Sequence, residues 1–166
     1  SKLKLECFLI DVRLPSMNGL ELFERIKSDA VITQPVIFLT GHGDIDMGVS
    51  AIKNGAFDFM TKPVNSEELL NRVDDAMNLS KELQKERNFT QLFEERMNEL
   101  TDRETEVLNN IVRGLSNKQI SEKLKNSIRT IELHRARILK KMNATNAIEL
   151  TRQYERYLQL NDSKLR

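Results

Sequence analysis

Three short apolar runs, Cys7 to Ile10, Val36 to Leu39 and Ala56 to Met60, alternate with stretches whose apolar residues recur every three or four positions. The runs have the length of buried strands, the last being interrupted by Asp58. Leu20, Phe23 and Ile26 predict a helix over 19–27, and Ile45, Val49 and Ile52 predict one over 44–54 that stops at Gly55. Alternating strand and helix predicts right-handed βαβ units and a parallel sheet. From Ser66 to Leu100 there is neither Gly nor Pro. This predicts a connector helix starting at Ser66 and about 50 Å long. Leu69, Val73, Ala76 and Met77 would face the sheet. After the polar stretch Gln84 to Asn88, Phe89, Leu92, Phe93, Met97 and Leu100 resume apolar spacing in a shifted heptad phase.

The punctuation then changes. Thr101-Asp102-Arg103-Glu104 and Ser116-Asn117-Lys118-Gln119 are capping boxes, and Ser127 is a third N-cap. They predict a helix carrying Val107, Leu108, Ile111 and Val112 up to Gly114, a short helix with Ile120 and Leu124, a turn at Asn126, and a helix over 128–142. A last helix over 147–158 carries Leu150, Tyr154 and Leu158. A short helix, a tight turn and a longer basic helix form the helix-turn-helix arrangement.

The chain has 166 residues, 39% apolar and 31% charged, and no run of about 18 apolar residues that could span a membrane. The charged start, Ser1 to Glu6, lacks the features of a signal peptide, so a cytoplasmic location is expected. Cys7 is the single cysteine, and His42 and His134 are the only histidines, which excludes a Cys/His zinc site. Net charge of +1 conceals an asymmetry. Residues 1–100 carry 12 Lys/Arg against 17 Asp/Glu, and residues 101–166 carry 14 against 8. A basic second half fits a polyanion such as nucleic acid, although a surplus of this size also suits a solvated surface.

In an open parallel sheet the ligand site lies beyond the carboxyl ends of the strands. Asp11, Thr40 and Lys62 close the three predicted strands. Singly, an Asp there is commonly a turn or cap residue, and a Lys-Pro is commonly a loop. Together a carboxylate, a hydroxyl and an ammonium suit an aspartyl-phosphate: Asp11 as nucleophile, Thr40 donating to a phosphoryl oxygen, Lys62 balancing charge. On the third helix of the second half, Ile131, Ile138 and Met142 should face inward. Arg129, Glu132, Leu133, Ala136, Arg137 and Lys140 form the opposite stripe, with Thr130 beside it. Arg129 and Arg137 can read guanine or phosphate, Glu132 can accept from cytosine N4, and Lys118, Lys140 and Lys141 are expected at phosphates.

Leu9-Ile10-Asp11-Val12-Arg13-Leu14-Pro15 with Met17, Gly19 and Leu20 resembles the phosphorylation loop of the response-regulator receiver family. Phe38 to Asp44 and Gly55 to Pro63 follow in the family's order. The resemblance implies that Asp11 is the phosphorylated aspartate, Thr40 the switch hydroxyl, Phe59 the switch aromatic and Lys62 the family's lysine, with a cis bond to Pro63. Leu100 to Leu108, Gly114 to Ile120 and Arg129 to Arg135 resemble the LuxR-type output domain. Glu132 and the Thr40-Gly41-His42-Gly43-Asp44 stretch are similar to its FixJ-like branch, and the last helix resembles that family's dimerisation helix.

The implied fold is an incomplete α/β, flavodoxin-like receiver at 1–78, a linker helix at 79–98 and an all-α DNA-binding domain at 99–161, with its helix-turn-helix at 117–136. The receiver family also implies Mg²⁺, held by Asp11, the Arg13 carbonyl and an acidic pair about 40 residues before the aspartate. Only ten residues precede Asp11, so that pair and the first strand, helix and second strand are expected to be absent from the chain, which leaves an apolar sheet edge. The expected protein is no enzyme. It is a two-component response regulator, an activator working with a sensor histidine kinase and RNA polymerase, dimeric when phosphorylated on Asp11, on a two-fold DNA site. The alternative is a phosphorylation-independent DNA-binding protein that uses its receiver for dimerisation. A phosphatase would need a second Asp where Arg13 stands.

Overall fold

The computed structural model describes residues 6–15, 17–28, 34–41 and 45–164. It divides into two compact units, 1–85 and 86–166.

In the first unit β1 (Phe8–Asp11), α1 (Gly19–Ser28), β2 (Val36–Thr40), α2 (Ile45–Lys53) and β3 (Asp58–Thr61) precede the start of α3 (Ser66–Asn98). The strands are parallel in the order β1-β2-β3, with Ile10 opposite Phe38 and Phe38 opposite Phe59. Strand alternation sends successive side chains to opposite faces. Ile10, Val36 and Phe38 join Phe23 of α1 and Ala51 of α2 on one face. Ile37 and Met60 join Ala76 of α3 on the other, with Leu69 and Val73 against them. The result is a three-layer, flavodoxin-like arrangement. Among the described residues β1 pairs only with β2, and Leu9 on that edge is 46% exposed.

One boundary differs from the sequence reading. The third strand begins at Asp58 and not at Ala56, although the Phe57 N–H already donates to the Val36 carbonyl at 2.8 Å; the Asp58 carboxylate accepts from the Phe59 N–H at 2.8 Å and pairs with Arg72 of α3 at 3.1 Å. α3 starts at Ser66, as the sequence predicts, and Asn65 before it supplies the cap: its Oδ1 accepts from the Glu67 and Glu68 N–H groups at 2.9 and 3.0 Å.

The second unit holds the end of α3 with α4 (Asp102–Ile111), α5 (Asn117–Leu124), α6 (Ile128–Lys141) and α7 (Ala147–Lys164). Both capping boxes form, and the Ser127 hydroxyl accepts from the Thr130 N–H at 3.0 Å. Lys125 ends α5 in the left-handed region at φ 51°. Val107, Leu108, Ile111, Ile120, Ile131, Ile138, Met142 and Leu150 make one core, and Phe93 belongs to it with Phe89 and Met97 against it. Residues 86–98, read from the sequence as the second half of a linker, therefore bring a buried aromatic ring into this unit. The last helix is longer than expected, and Leu158 is 45% exposed. Tyr157 faces inward in its place, its ring stacked on Phe93 at 4.8 Å.

Candidate functional site

Asp11 closes β1 and Thr40 closes β2, and Lys62 follows the last residue of β3. The Lys62 N–H donates to the Thr40 carbonyl at 2.7 Å, which continues the ladder one residue beyond β3 and brings the lysine to the rim. Its Nζ forms an ion pair with Asp11 Oδ2, while the Arg13 N–H donates to Oδ1 at 3.0 Å. The Lys62 contact and then the Arg13 N–H hold the Asp11 carboxyl below the usual aspartate range, so it stays ionised well into acid. Lys62→Met should return the Asp11 titration towards its ordinary value, as carboxyl NMR against pH would measure; an unmoved titration would mean that Lys62 does not set the charge of this rim.

Thr40 is fully buried, and its Oγ1 has no hydrogen-bond partner among the described residues. A buried hydroxyl without a partner is uncommon and calls for an acceptor. Phe59 is half-buried, and the Lys62–Pro63 bond is cis. Two glycines shape the rim. A Cβ on Gly19 would lie 2.2 Å from the Asp11 carbonyl oxygen, and one on Gly48 would lie 2.7 Å from the Phe59 ring. Gly19 was legible as part of a motif without its reason; Gly48, the seat of the Phe59 ring, gave no signal in the sequence. His42, Gly43 and Asp44 lie outside the described residues.

Asp11 and the Arg13 carbonyl would offer Mg²⁺ two protein oxygens. Among the described residues no group of three or more His, Cys, Asp or Glu could hold a metal, so they do not by themselves make the ion's shell.

In the second unit Arg129, Glu132, Leu133, Ala136, Arg137 and Lys140 are all exposed on α6, opposite buried Ile131 and Ile138. At about 100° per residue they fill an arc of roughly 140°. Arg129 and Glu132 are 3.8 Å apart within it. Lys118 is exposed in the first turn of α5. Two expected contacts fall outside the stripe. Thr130 is half-buried with its Oγ1 2.8 Å from the Ser127 hydroxyl, so it completes the cap. Lys141, expected at a phosphate, is turned instead to Glu104 at 2.7 Å and the Glu99 carbonyl at 2.9 Å, because the carboxylate beside it is buried and needs a cation.

Residues 1–74 match the family described as response regulator receiver domain, and residues 98–154 match the bacterial regulatory proteins of the luxR family. The chain is 39% identical over 150 residues to the response regulator protein TodT of Pseudomonas putida, covering 90% of this chain and 66% of TodT. It thus spans about two thirds of TodT's length. It is 36% identical over 156 residues to the transcriptional regulatory protein FixJ of Bradyrhizobium diazoefficiens, covering 94% of this chain and 76% of FixJ. Among solved structures it is similar to the response regulator StyR, with a TM-score of 0.79 at 36% identity, covering 91% of this chain and 76% of StyR. With both halves matched in order, and three quarters of FixJ's length covered, the chain belongs to the two-component response regulators that join a receiver domain to a LuxR-type DNA-binding domain.

Proposed function

We propose that the protein is a sequence-specific DNA-binding transcription regulator switched by phosphorylation of Asp11. The ion pair between Asp11 and Lys62 at the carboxyl ends of the strands carries this reading. A carboxylate oxygen of Asp11 attacks the phosphorus of a kinase phosphohistidine; the new P–O bond forms as the P–N bond breaks, and the imidazole leaves. Lys62 then balances the added charge, and the Thr40 hydroxyl gains the phosphoryl oxygen as its acceptor. Phe59 moves with Thr40, and the phosphorylated form is favoured as a dimer. A sensor histidine kinase is the donor, Mg²⁺ supports the transfer, and RNA polymerase is the target of an activator in the cytoplasm.

The α6 stripe enters the major groove of a two-fold site. Arg129 and Arg137 read guanine or phosphate, Glu132 accepts from cytosine N4, Leu133 and Ala136 offer apolar surface, and Lys118 and Lys140 neutralise phosphates. The receiver occupies about 1–78 and the DNA-binding helices lie within 99–161, with 86–98 as part of the latter's core. The test is a duplex enriched by the wild-type chain from a random pool, titrated by fluorescence anisotropy at several salt concentrations. Lys140→Ala should reduce the salt slope by about 1, whereas Arg137→Ala should cost about 1–3 kcal/mol and relax the sequence preference. Binding that ignores both changes would remove α6 from the interface.

A further inference from the structure

The first turn of α4 carries two side chains, one reaching the connection that leads into α6 and the other reaching the last residue of α6. Arg103 Nη2 donates to the carbonyl of Leu124, the last residue of α5, at 2.8 Å. With the Asn126 amide oxygen turned towards it, the same guanidinium also donates to Asn126 at 2.7 Å from Nη2 and 3.3 Å from Nε. These acceptors lie in the turn that leads to Ser127, the N-cap of α6. Glu104 is 3% exposed, and its Oε2 accepts from the Thr101 N–H at 3.0 Å, the Thr101 hydroxyl at 3.2 Å and Lys141 Nζ at 2.7 Å. Lys141 is the last residue of α6 and also donates to the Glu99 carbonyl at 2.9 Å.

We propose that Arg103 and Glu104 are positioning residues that clamp α6 at both ends, and that Lys141 is part of this clamp and not a phosphate contact. The proposal rests on the DNA-binding reading of α6. Two of the three N–H donors of Lys141 are committed to a buried carboxylate and a carbonyl, and moving the cation out to a phosphate would weaken the pairing of that carboxylate, which is unfavourable. Fixing a helix at both ends sets its tilt, and so the angle at which Arg129 to Lys140 meet the groove; a site of this kind depends on the side chains that support it.

Glu104→Gln separates the alternatives by sign. Glutamine still completes the capping box, so the helix start is kept. Removing a negative charge and releasing Lys141 should tighten DNA binding if Lys141 serves as a phosphate ligand. The clamp predicts the opposite: about five- to tenfold weaker binding of the enriched duplex by the full chain, with the salt slope unchanged. Lys141→Gln should weaken binding similarly at unchanged slope, and Lys141→Arg should restore it. Equal or tighter binding by Glu104→Gln, or a slope that falls by about 1 in Lys141→Gln as for Lys140→Ala, overturns the clamp. A wild-type chain that enriches no sequence overturns the clamp and the DNA-binding reading together, whereas normal wild-type binding with either contrary variant result overturns the clamp alone.

Discussion

Asp11→Asn is expected to abolish uptake of a phosphoryl group from a small phosphoryl donor, so that intact mass shows a single adduct on the wild type and none on the variant. The amide is neutral and lacks the ionised oxygen that attacks phosphorus. It also removes the charge that Lys62 faces and that the Arg13 N–H supports. The ion pair is partly exposed, at 45% for the Lys62 side chain and 32% for Asp11, so its loss should cost the fold at most about 1 kcal/mol. Chemistry should vanish while folding and basal DNA binding persist. An adduct retained on the variant would place the acceptor elsewhere.

The second large effect is expected at Phe93, on the stretch of α3 that the sequence presents as a connector. Its side chain is 1% exposed, stacked on Tyr157 at 4.8 Å and set edge-on to Tyr154 at 6.2 Å. Phe89 lies 5.9 Å from it on the same helix, beneath the Arg156 guanidinium at 4.4 Å. Phe93→Ala removes a ring from a shared core and should destabilise the second unit by about 3–5 kcal/mol. The chain has no Trp, and its two tyrosines are Tyr154 and Tyr157, so tyrosine fluorescence during denaturant unfolding reports that unit alone. A loss below about 1 kcal/mol would mean that 86–98 packs weakly and serves as a spacer.

What could be read in the sequence was set by local chemistry. Strand runs, helix stripes and caps depend on neighbours a few residues away, and Thr101 with Glu104, Ser116 with Gln119, and Ser127 all cap as their spacing predicts. Asp11, Thr40 and Lys62 were legible because a parallel sheet brings its strand ends to one rim. What escaped depends on partners distant in the chain. Periodicity treats Tyr157 and Leu158 as near equals, and only the Phe93 ring decides which turns inward. Lys140 and Lys141 look alike in a basic run, yet Glu104, 37 residues before Lys141, claims only the second. Gly48 looks like a weak point in a helix until the Phe59 ring occupies the space beside it. Asp58 interrupts an apolar run for a reason located on α3, the Arg72 guanidinium.

The central claim, that Asp11 controls the grip of α6 on DNA, is tested most directly by the anisotropy of the enriched duplex titrated with the full chain at one fixed salt concentration, with and without phosphoryl donor. Tighter binding with donor for the wild type, and no change for Asp11→Asn, is the predicted result. Equal affinity for the phosphorylated and unphosphorylated wild type, with the adduct verified by mass, would contradict it.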